Sequence, residues 1–385
     1  MASAKQKLIR LTTISGSLND LLKGQLRFLS DYYEVVGVAS DKGTGRLKEV
    51  SEREGVRCID IPMHREISLL NDVKSLWKLI RLFKREKPYI VHANTPKGSL
   101  LAMVAAWTVR VPHRIYTVTG LRFETATGRF RRLLILMEKV TCKCATKVIP
   151  EGEGVKKVLI TNNITKKPLK VILNGNINGI DVKFYSRSKE MIQRMDFIKE
   201  EGTFNFVFVG RIVKDKGINE LVKAFSRLLV VYPNVRLQLV GGFERDLDPL
   251  AEDVEKMIEE NRKIVAWGFQ RDVRLFFAAS DILVFPSYRE GFPNVVLQAG
   301  AMELPSIVTD INGCNEIIRN GVNGKIIPPR DEAALYEMMK WFYEHRDDEV
   351  KEMAKRARPM IVERYEQQKV WEALLEEYRS LDKNV

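Results

Sequence analysis

The residues best placed to do chemistry lie in Pro286–Pro305, PSYREGFPNVVLQAGAMELP. An apolar run, Ile282–Phe285, has the character of a buried strand. It leads into an acidic residue, Glu290, then Gly291, Phe292 and Pro293, then a helical stretch starting near Asn294 and Val295. A Gly-aromatic-Pro turn ahead of a helix leaves backbone N–H groups unpaired at the positive end of the helix dipole, a natural seat for a phosphate. Gln298 follows Glu290 by about two helical turns, so one ligand can meet both side chains. The plainer reading of Glu290 is a carboxylate near a helix N-cap. A second cluster is VGRIVKDKG, Val209–Gly217, where Arg211 and Lys216 stand between a strand end and a helix. Two cations there suit a diphosphate leaving group, whose negative charge grows in the transition state; a solvated basic loop is the alternative. Gly16, in TTISGSLND after the first strand, either lets backbone approach a ligand or makes a tight turn.

Other candidates carry less. Asp246-Leu247-Asp248 spells a D-x-D of the kind that holds metals, but it sits in a polar loop beyond Gly241-Gly242. His92 ends a strand and is either a structural histidine or a substrate contact. His113 follows a Val-Pro pair and reads as a surface residue. The four histidines are scattered, and Cys58, Cys142, Cys144 and Cys314 lack metal-site spacing, so no metal is expected and the thiols read as reduced and structural.

These residues need elements to hold them. Candidate strands are Leu8–Thr13, Val35–Ala39, Cys58–Ile61, Ile90–Ala93, Ile115–Thr119, Lys147–Ile149 and Val171–Leu173 in the first half. In the second they are Phe204–Val209, Leu237–Val240, Ile264–Trp267, Ile282–Phe285, Ser306–Thr309 and Lys325–Ile327. Runs such as FVFVG and ILVF are apolar throughout, as parallel strands buried on both faces require. Amphipathic stretches alternate with them, which gives an α/β fold with parallel sheets. Ligands in such sheets bind beyond the carboxyl ends of the strands, where the candidates above cluster. The expected lobes are 1–185 together with a closing helix at about 365–385, and 186–364. Trp371, Leu374, Leu375 and Tyr378 share one face of that helix.

The 385 residues carry 63 Lys+Arg against 50 Asp+Glu, a formal +13 that favours an anionic partner. No nucleic-acid recognition motif accompanies the charge, so no nucleic-acid partner is expected. No stretch is long and apolar enough to cross a membrane, and no signal peptide opens the chain. Two basic amphipathic stretches stand out. Leu76, Trp77, Leu79, Ile80 and Phe83, interleaved with lysines and arginines, read as a core-facing helix with snorkelling cations. Arg129, Arg131 and Arg132, running into Leu133–Met137, read as a membrane-contacting one.

Taken in order, Gly16, VHANTPKG (Val91–Gly98), YTVTG (Tyr116–Gly120), NGID (Asn178–Asp181), VGRIVKDKG, WGFQRDV (Trp267–Val273) and EGFPN (Glu290–Asn294) resemble the retaining glycosyltransferases of the large bacterial family four, which have the GT-B fold. The matches span nearly the whole chain. The resemblance implies two Rossmann-like lobes facing across a cleft, an N-terminal acceptor lobe and a C-terminal nucleotide-sugar lobe. It implies that Arg211 and Lys216 bind the donor diphosphate, Glu290 touches the transferred sugar, and the backbone from Gly291 through Phe292, Pro293 and Asn294 to Val295 holds phosphates. Position 298 would hold the ribose, and Gly268 and Phe269 would lie near the base. Two departures stand out: Gln298 replaces the family's second glutamate, so it hydrogen-bonds without charge, and Thr119 stands where many members have histidine. His92 and Thr119 remain the N-lobe candidates.

The function these features imply is retaining, metal-independent transfer from a nucleotide sugar, UDP-linked by nearest resemblance. The product is a hexosyl or N-acetylhexosaminyl group on a polyprenyl-diphosphate-linked glycan for capsule, O-antigen or protein glycan. The nucleotide sugar is a substrate, and no cofactor is expected. The expected setting is the cytoplasm, peripherally on the inner face of the cell membrane. A sugar-nucleotide epimerase of GT-B type and a non-catalytic basic membrane-binding protein are the alternatives.

Overall fold

The computed structural model describes residues 5–64, 68–194, 198–246 and 248–381. The chain forms two compact units, Met1–Gly179 with Gln367–Val385, and Ile180–Glu366. The division falls after Gly179 and Glu366, where the sequence had pointed to 185 and 364. The NGID motif is split by its own hydrogen bonds. Asn178 accepts from Gln25 and Trp371 within the first unit, whereas the Asp181 carboxylate caps the turn at Lys183 and Phe184 within the second. Inside the second unit the entering and leaving chain lie side by side, with Ile180 N–H donating to the Tyr365 carbonyl at 2.8 Å.

In the first unit β1 (Lys7–Ile14), β2 (Glu34–Ser40), β3 (Arg57–Asp60), β4 (Ile90–Asn94), β5 (His113–Val118) and β6 (Lys147–Pro150) form a parallel sheet in the order β3-β2-β1-β4-β5-β6. The second unit repeats the plan. There β7 (Phe204–Val209), β8 (Val235–Val240), β9 (Ile264–Ala266), β10 (Ile282–Phe285), β11 (Ser306–Thr309) and β12 (Gly324–Ile327) run β12-β11-β10-β7-β8-β9. Both are Rossmann-type, doubly wound orders, with the reversal of direction between β1 and β4 and between β7 and β10. The expected strand Val171–Leu173 does not form. Leu173 has φ +50° and is exposed, and the nearest pairing is an isolated bridge just before the segment, from Leu169 to Val148.

Burial follows the strand patterns. Phe206, Val207 and Phe208 are fully buried on both faces of their sheet, as an all-apolar strand must be. In the first unit one sheet face is apolar along its length, through Ile9, Leu11, Val91, Ala93, Tyr116 and Val118. The other face begins apolar at Leu8, Ile90 and Ile115 and turns polar toward the strand ends, at Arg10, His92, Asn94 and Thr117, all of them buried. The helix Gln367–Arg379 covers this second face with Val370, Leu374, Leu375 and Tyr378.

Candidate active site

In the second unit two of the three charged candidates, Lys216 and Glu290, meet at the switch point. β7 ends at Val209 and its loop carries Arg211 and Lys216; β10 ends at Phe285 and its loop carries Glu290. The two strands are neighbours, so their loops touch. Lys216 Nζ pairs with Glu290 Oε1, and Ser287 donates to the same oxygen at 2.8 Å. The ammonium also lies 5.4 Å from the centre of the Phe285 ring. Arg211 Nη1 pairs with Glu244 Oε2 at 2.6 Å. Each cation is thus held by a carboxylate. Glu244, Ser287 and the Phe285 ring were not singled out in the sequence, because their role depends on contacts across loops.

Glycine makes the loop contact possible. A Cβ on Gly217 would lie 2.1 Å from the Pro286 carbonyl oxygen, and its φ of +71° is one that side-chain-bearing residues rarely adopt. Gly313 does the same for the turn after Glu290: a Cβ there would sit 2.6 Å from the Gly291 oxygen and 2.7 Å from Phe292 Cα. Thr309 further fixes the loop by donating to the Ser287 carbonyl at 2.5 Å.

The helix after the turn runs Asn294–Ala301, with Pro293 as N-cap and no side chain capping its first N–H groups. Gly291, Phe292 and Pro293 are buried beneath it; Asn294, Val295 and Gln298 are partly exposed. Gly268 (φ +66°) and the exposed Phe269 follow β9 at the sheet edge, where the Gly268 carbonyl accepts from Gly241 N–H at 2.9 Å. In the D-x-D, Leu247 lies outside the described residues. The Asp248 carboxylate is committed to the Asp215 N–H at 2.8 Å, which orders the loop that carries Lys216. Among the described residues no group of three or more His, Cys, Asp or Glu could hold a metal.

Gly16, His92 and Thr119 belong to the first unit. Gly16 is in the first turn of the helix Ser15–Leu21, at the carboxyl end of β1. Thr119 is partly exposed just past β5. His92 is fully enclosed: Tyr378 Oη lies 2.5 Å from Nδ1 and Thr117 Oγ1 2.7 Å from Nε2. Burial, with the charge of Arg10 adding to it, holds His92 well below the usual imidazole range, so the ring is neutral. Both ring nitrogens are used inside the fold, which makes His92 structural rather than a surface substrate contact. Arg10 was not singled out, although a charged residue inside the apolar run LIRLTT was the signal, and Tyr378 was read only as part of the helix face that docks. The four cysteines are free thiols, and burial pushes Cys58 up to about 11 and Cys142 to about 12, so neither is a nucleophile at neutral pH.

Two parallel sheets of Rossmann order, with cations and a carboxylate gathered at the switch point of the second, define a GT-B glycosyltransferase architecture. The chain belongs to the glycosyltransferase family described by the models "Glycosyl transferase 4-like domain", matched by residues 29–175, and "Glycosyl transferases group 1", matched by residues 203–345. It is 34% identical over 377 residues, 97% of each chain, to the capsular polysaccharide biosynthesis glycosyltransferase CapM of Staphylococcus aureus. It is 28% identical over 284 residues, 72% of each chain, to the UDP-Gal:alpha-D-GlcNAc-diphosphoundecaprenol alpha-1,3-galactosyltransferase of Escherichia coli. In fold it is similar to Anabaena HepE, solved in complex with UDP and glucose, with a TM-score of 0.81 at 19% identity over 97% of this chain and all of that one.

Proposed function

We propose that the chain is a retaining, metal-independent transferase that moves a hexose or N-acetylhexosamine from a UDP-sugar to a polyprenyl-diphosphate-linked glycan, in building capsule or a related surface glycan. The observation that carries this reading is the meeting of Lys216, Glu290 and Ser287 beside the uncapped helix at the switch point of the second sheet. The relatives support the rest: one is named for capsule synthesis, and another for a UDP donor and a diphosphoundecaprenol acceptor.

In this mechanism the donor diphosphate displaces two carboxylates from their cations. Lys216 leaves Glu290 and Arg211 leaves Glu244, both to contact phosphate oxygens, and the freed Glu290 accepts from hydroxyls of the sugar. The bond from the anomeric carbon to the diphosphate oxygen breaks, and the acceptor oxygen bonds to that carbon on the same face. The acceptor's proton passes to the departing phosphate oxygen. The helix N-terminus and the two cations stabilise the charge that builds on the diphosphate. Gln298 binds the ribose as a neutral partner.

The membrane reading rests on the helix Gly128–Cys144. Phe130, Leu133, Leu136 and Val140 are exposed along one stripe of it, among Arg129, Arg131, Arg132, Lys139 and Lys143. That is the pattern of a helix lying in a lipid interface. The helix Leu69–Glu86 buries Leu79 and Phe83 as expected, yet it also exposes Leu69, Leu70, Val73 and Trp77. Among the described residues no helix is long and apolar enough to cross a membrane.

The test compares Arg211→Ala, Lys216→Ala, the double variant and Glu290→Ala in initial rate, UDP affinity and melting temperature. Losing one such contact costs roughly 3 kcal/mol, about a hundredfold in rate, and the two need not add because they share one anion. Glu290→Ala should lose turnover while UDP binding persists. A double variant that melts and transfers like the parent would eliminate this site.

A further inference from the structure

The two loops that carry Lys216 and Glu290 are joined by a second ion pair beside the first. Asp215 precedes Lys216 and Arg289 precedes Glu290, and Arg289 Nη2 lies 3.3 Å from Asp215 Oδ2. Each loop thus sets a charge next to its opposite, and the pairs run side by side, Asp215 with Arg289 and Lys216 with Glu290. A slip of one residue would bring Asp215 against Glu290 or Lys216 against Arg289, like charge against like. The alternation therefore fixes the register of one loop on the other.

Asp215 is held through its backbone as well as its side chain. Its N–H donates to Asp248 Oδ2 at 2.8 Å, its carbonyl accepts from the Tyr288 N–H at 2.9 Å, and its carboxylate accepts from Arg289. The Tyr288 hydroxyl reaches past this contact and donates at 2.6 Å to Glu220 Oε1 on the helix Ile218–Val231. The loop after β10 thus grips both the residue before Lys216 and the helix that follows it.

The donor chemistry asks different things of the two pairs. Lys216 and Glu290 must part when a diphosphate binds, whereas Asp215 and Arg289 have no part in that exchange. Their pair can stay closed and keep Lys216 and Glu290 opposite each other while both change partners. Stability does not explain it: the Arg289 and Asp215 side chains are 28% and 40% exposed, and an ion pair that open to water adds little. Orientation is worth more, since misplacing a catalytic group by about 1 Å can cost about a hundredfold in rate.

We infer that Asp215 and Arg289 are positioning residues whose pair keeps the two loops in register while Lys216 and Glu290 exchange partners. This rests on the donor-site reading above. Rates on prenyl-diphosphate-linked GlcNAc are measured with UDP-glucose, UDP-galactose and UDP-GlcNAc for the parent, Asp215→Ala, Arg289→Met, their double variant and Arg289→Lys. Asp215→Ala and Arg289→Met should each lower kcat about tenfold or more, with donor KM and UDP affinity within about threefold of the parent. The double variant should be no slower than the worse single, because both break one pair. Arg289→Lys should recover much of the rate, and melting temperatures should barely move. Additive losses in the double variant would overturn the inference, as would a kcat that falls only with the melting temperature and is not rescued by lysine. So would parent-like turnover in Arg289→Met while Lys216→Ala and Glu290→Ala are inactive. If those last two also turn over like the parent, the donor-site reading is what has failed. Amide exchange needs no donor and judges the loop contact by itself. Lys216→Ala opens the first pair by mutation; the Asp215 and Tyr288 amides should stay protected in it and exchange about tenfold faster in Arg289→Met. Equal protection in the two variants, or protection lost in Lys216→Ala alone, would show that Arg289 does not hold the loops.

Discussion

Lys216 and Glu290 form an ion pair, so under the proposed mechanism an anion that binds Lys216 displaces the carboxylate. The donor diphosphate of that mechanism carries more charge than one carboxylate, and it would free Glu290 for the sugar in the same exchange. A different residue controls stability. Glu138 is almost fully buried and accepts from the Tyr116 hydroxyl at 2.8 Å. Burial raises its carboxyl from the ordinary value of 4.5 to about 7, with that hydrogen bond opposing. A raised folded value means the native state binds the extra proton. The contribution is therefore fully present below about pH 4.5 and lost as pH rises through about 7. Glu138→Gln keeps an acceptor for Tyr116 without the charge. It should be more stable than the parent at pH 8, by roughly 1–3 kcal/mol, with the gap shrinking toward pH 5. Melting curves of both proteins across that range check it; a constant difference would show that Glu138 is not the titrating group.

Two helices act on opposite faces of the first sheet. Gln367–Arg379 is pinned by Tyr378, whose hydroxyl serves both Arg10 and His92, and by Trp371, whose Nε1–H donates to Asn178 at 2.7 Å. Tyr378→Phe leaves a buried guanidinium and an imidazole each short of a partner, a cost of about 1–3 kcal/mol. Hydrogen exchange should then show lost protection concentrated in this helix, and uniform loss would contradict a local latch. Gly128–Cys144, packed on the opposite, apolar face, displays its stripe to solvent. Leu133→Glu with Leu136→Glu should weaken binding to anionic vesicles by roughly tenfold or more, since about 1.4 kcal/mol is already a factor of ten. Because both residues are exposed, the melting temperature should barely move. Co-sedimentation at low and high salt reads this, and unchanged partitioning would remove the helix from the membrane surface.

The two units repeat one plan, a parallel sheet of Rossmann order. In the proposed mechanism, Arg211 and Lys216 in the second unit would supply the charge that a metal ion supplies elsewhere. Transfer should accordingly survive a metal chelator, measured as initial rate with excess EDTA. Loss of activity restored by magnesium or manganese would return Asp246 and Asp248 to consideration.

The strands, their parallel arrangement and the loops bearing Arg211, Lys216 and Glu290 were legible in the sequence. Apolar runs, turn residues and the Gly-Phe-Pro turn are local signals, each set by a few adjacent residues. The motifs also carried the family. Val171–Leu173 was misread because three apolar residues look like a strand until backbone strain at Leu173 forbids it. What the sequence left open depended on partners far apart in the chain. The pairing of Lys216 with Glu290 spans 74 residues, and that of His92 with Tyr378 spans 286. Only tertiary structure decided that His92 is held inside the fold while Asn94, two residues on, has an amide with nothing to bind. Both alternate onto the same sheet face, and burial by a helix from the far end of the chain settles which of them is satisfied.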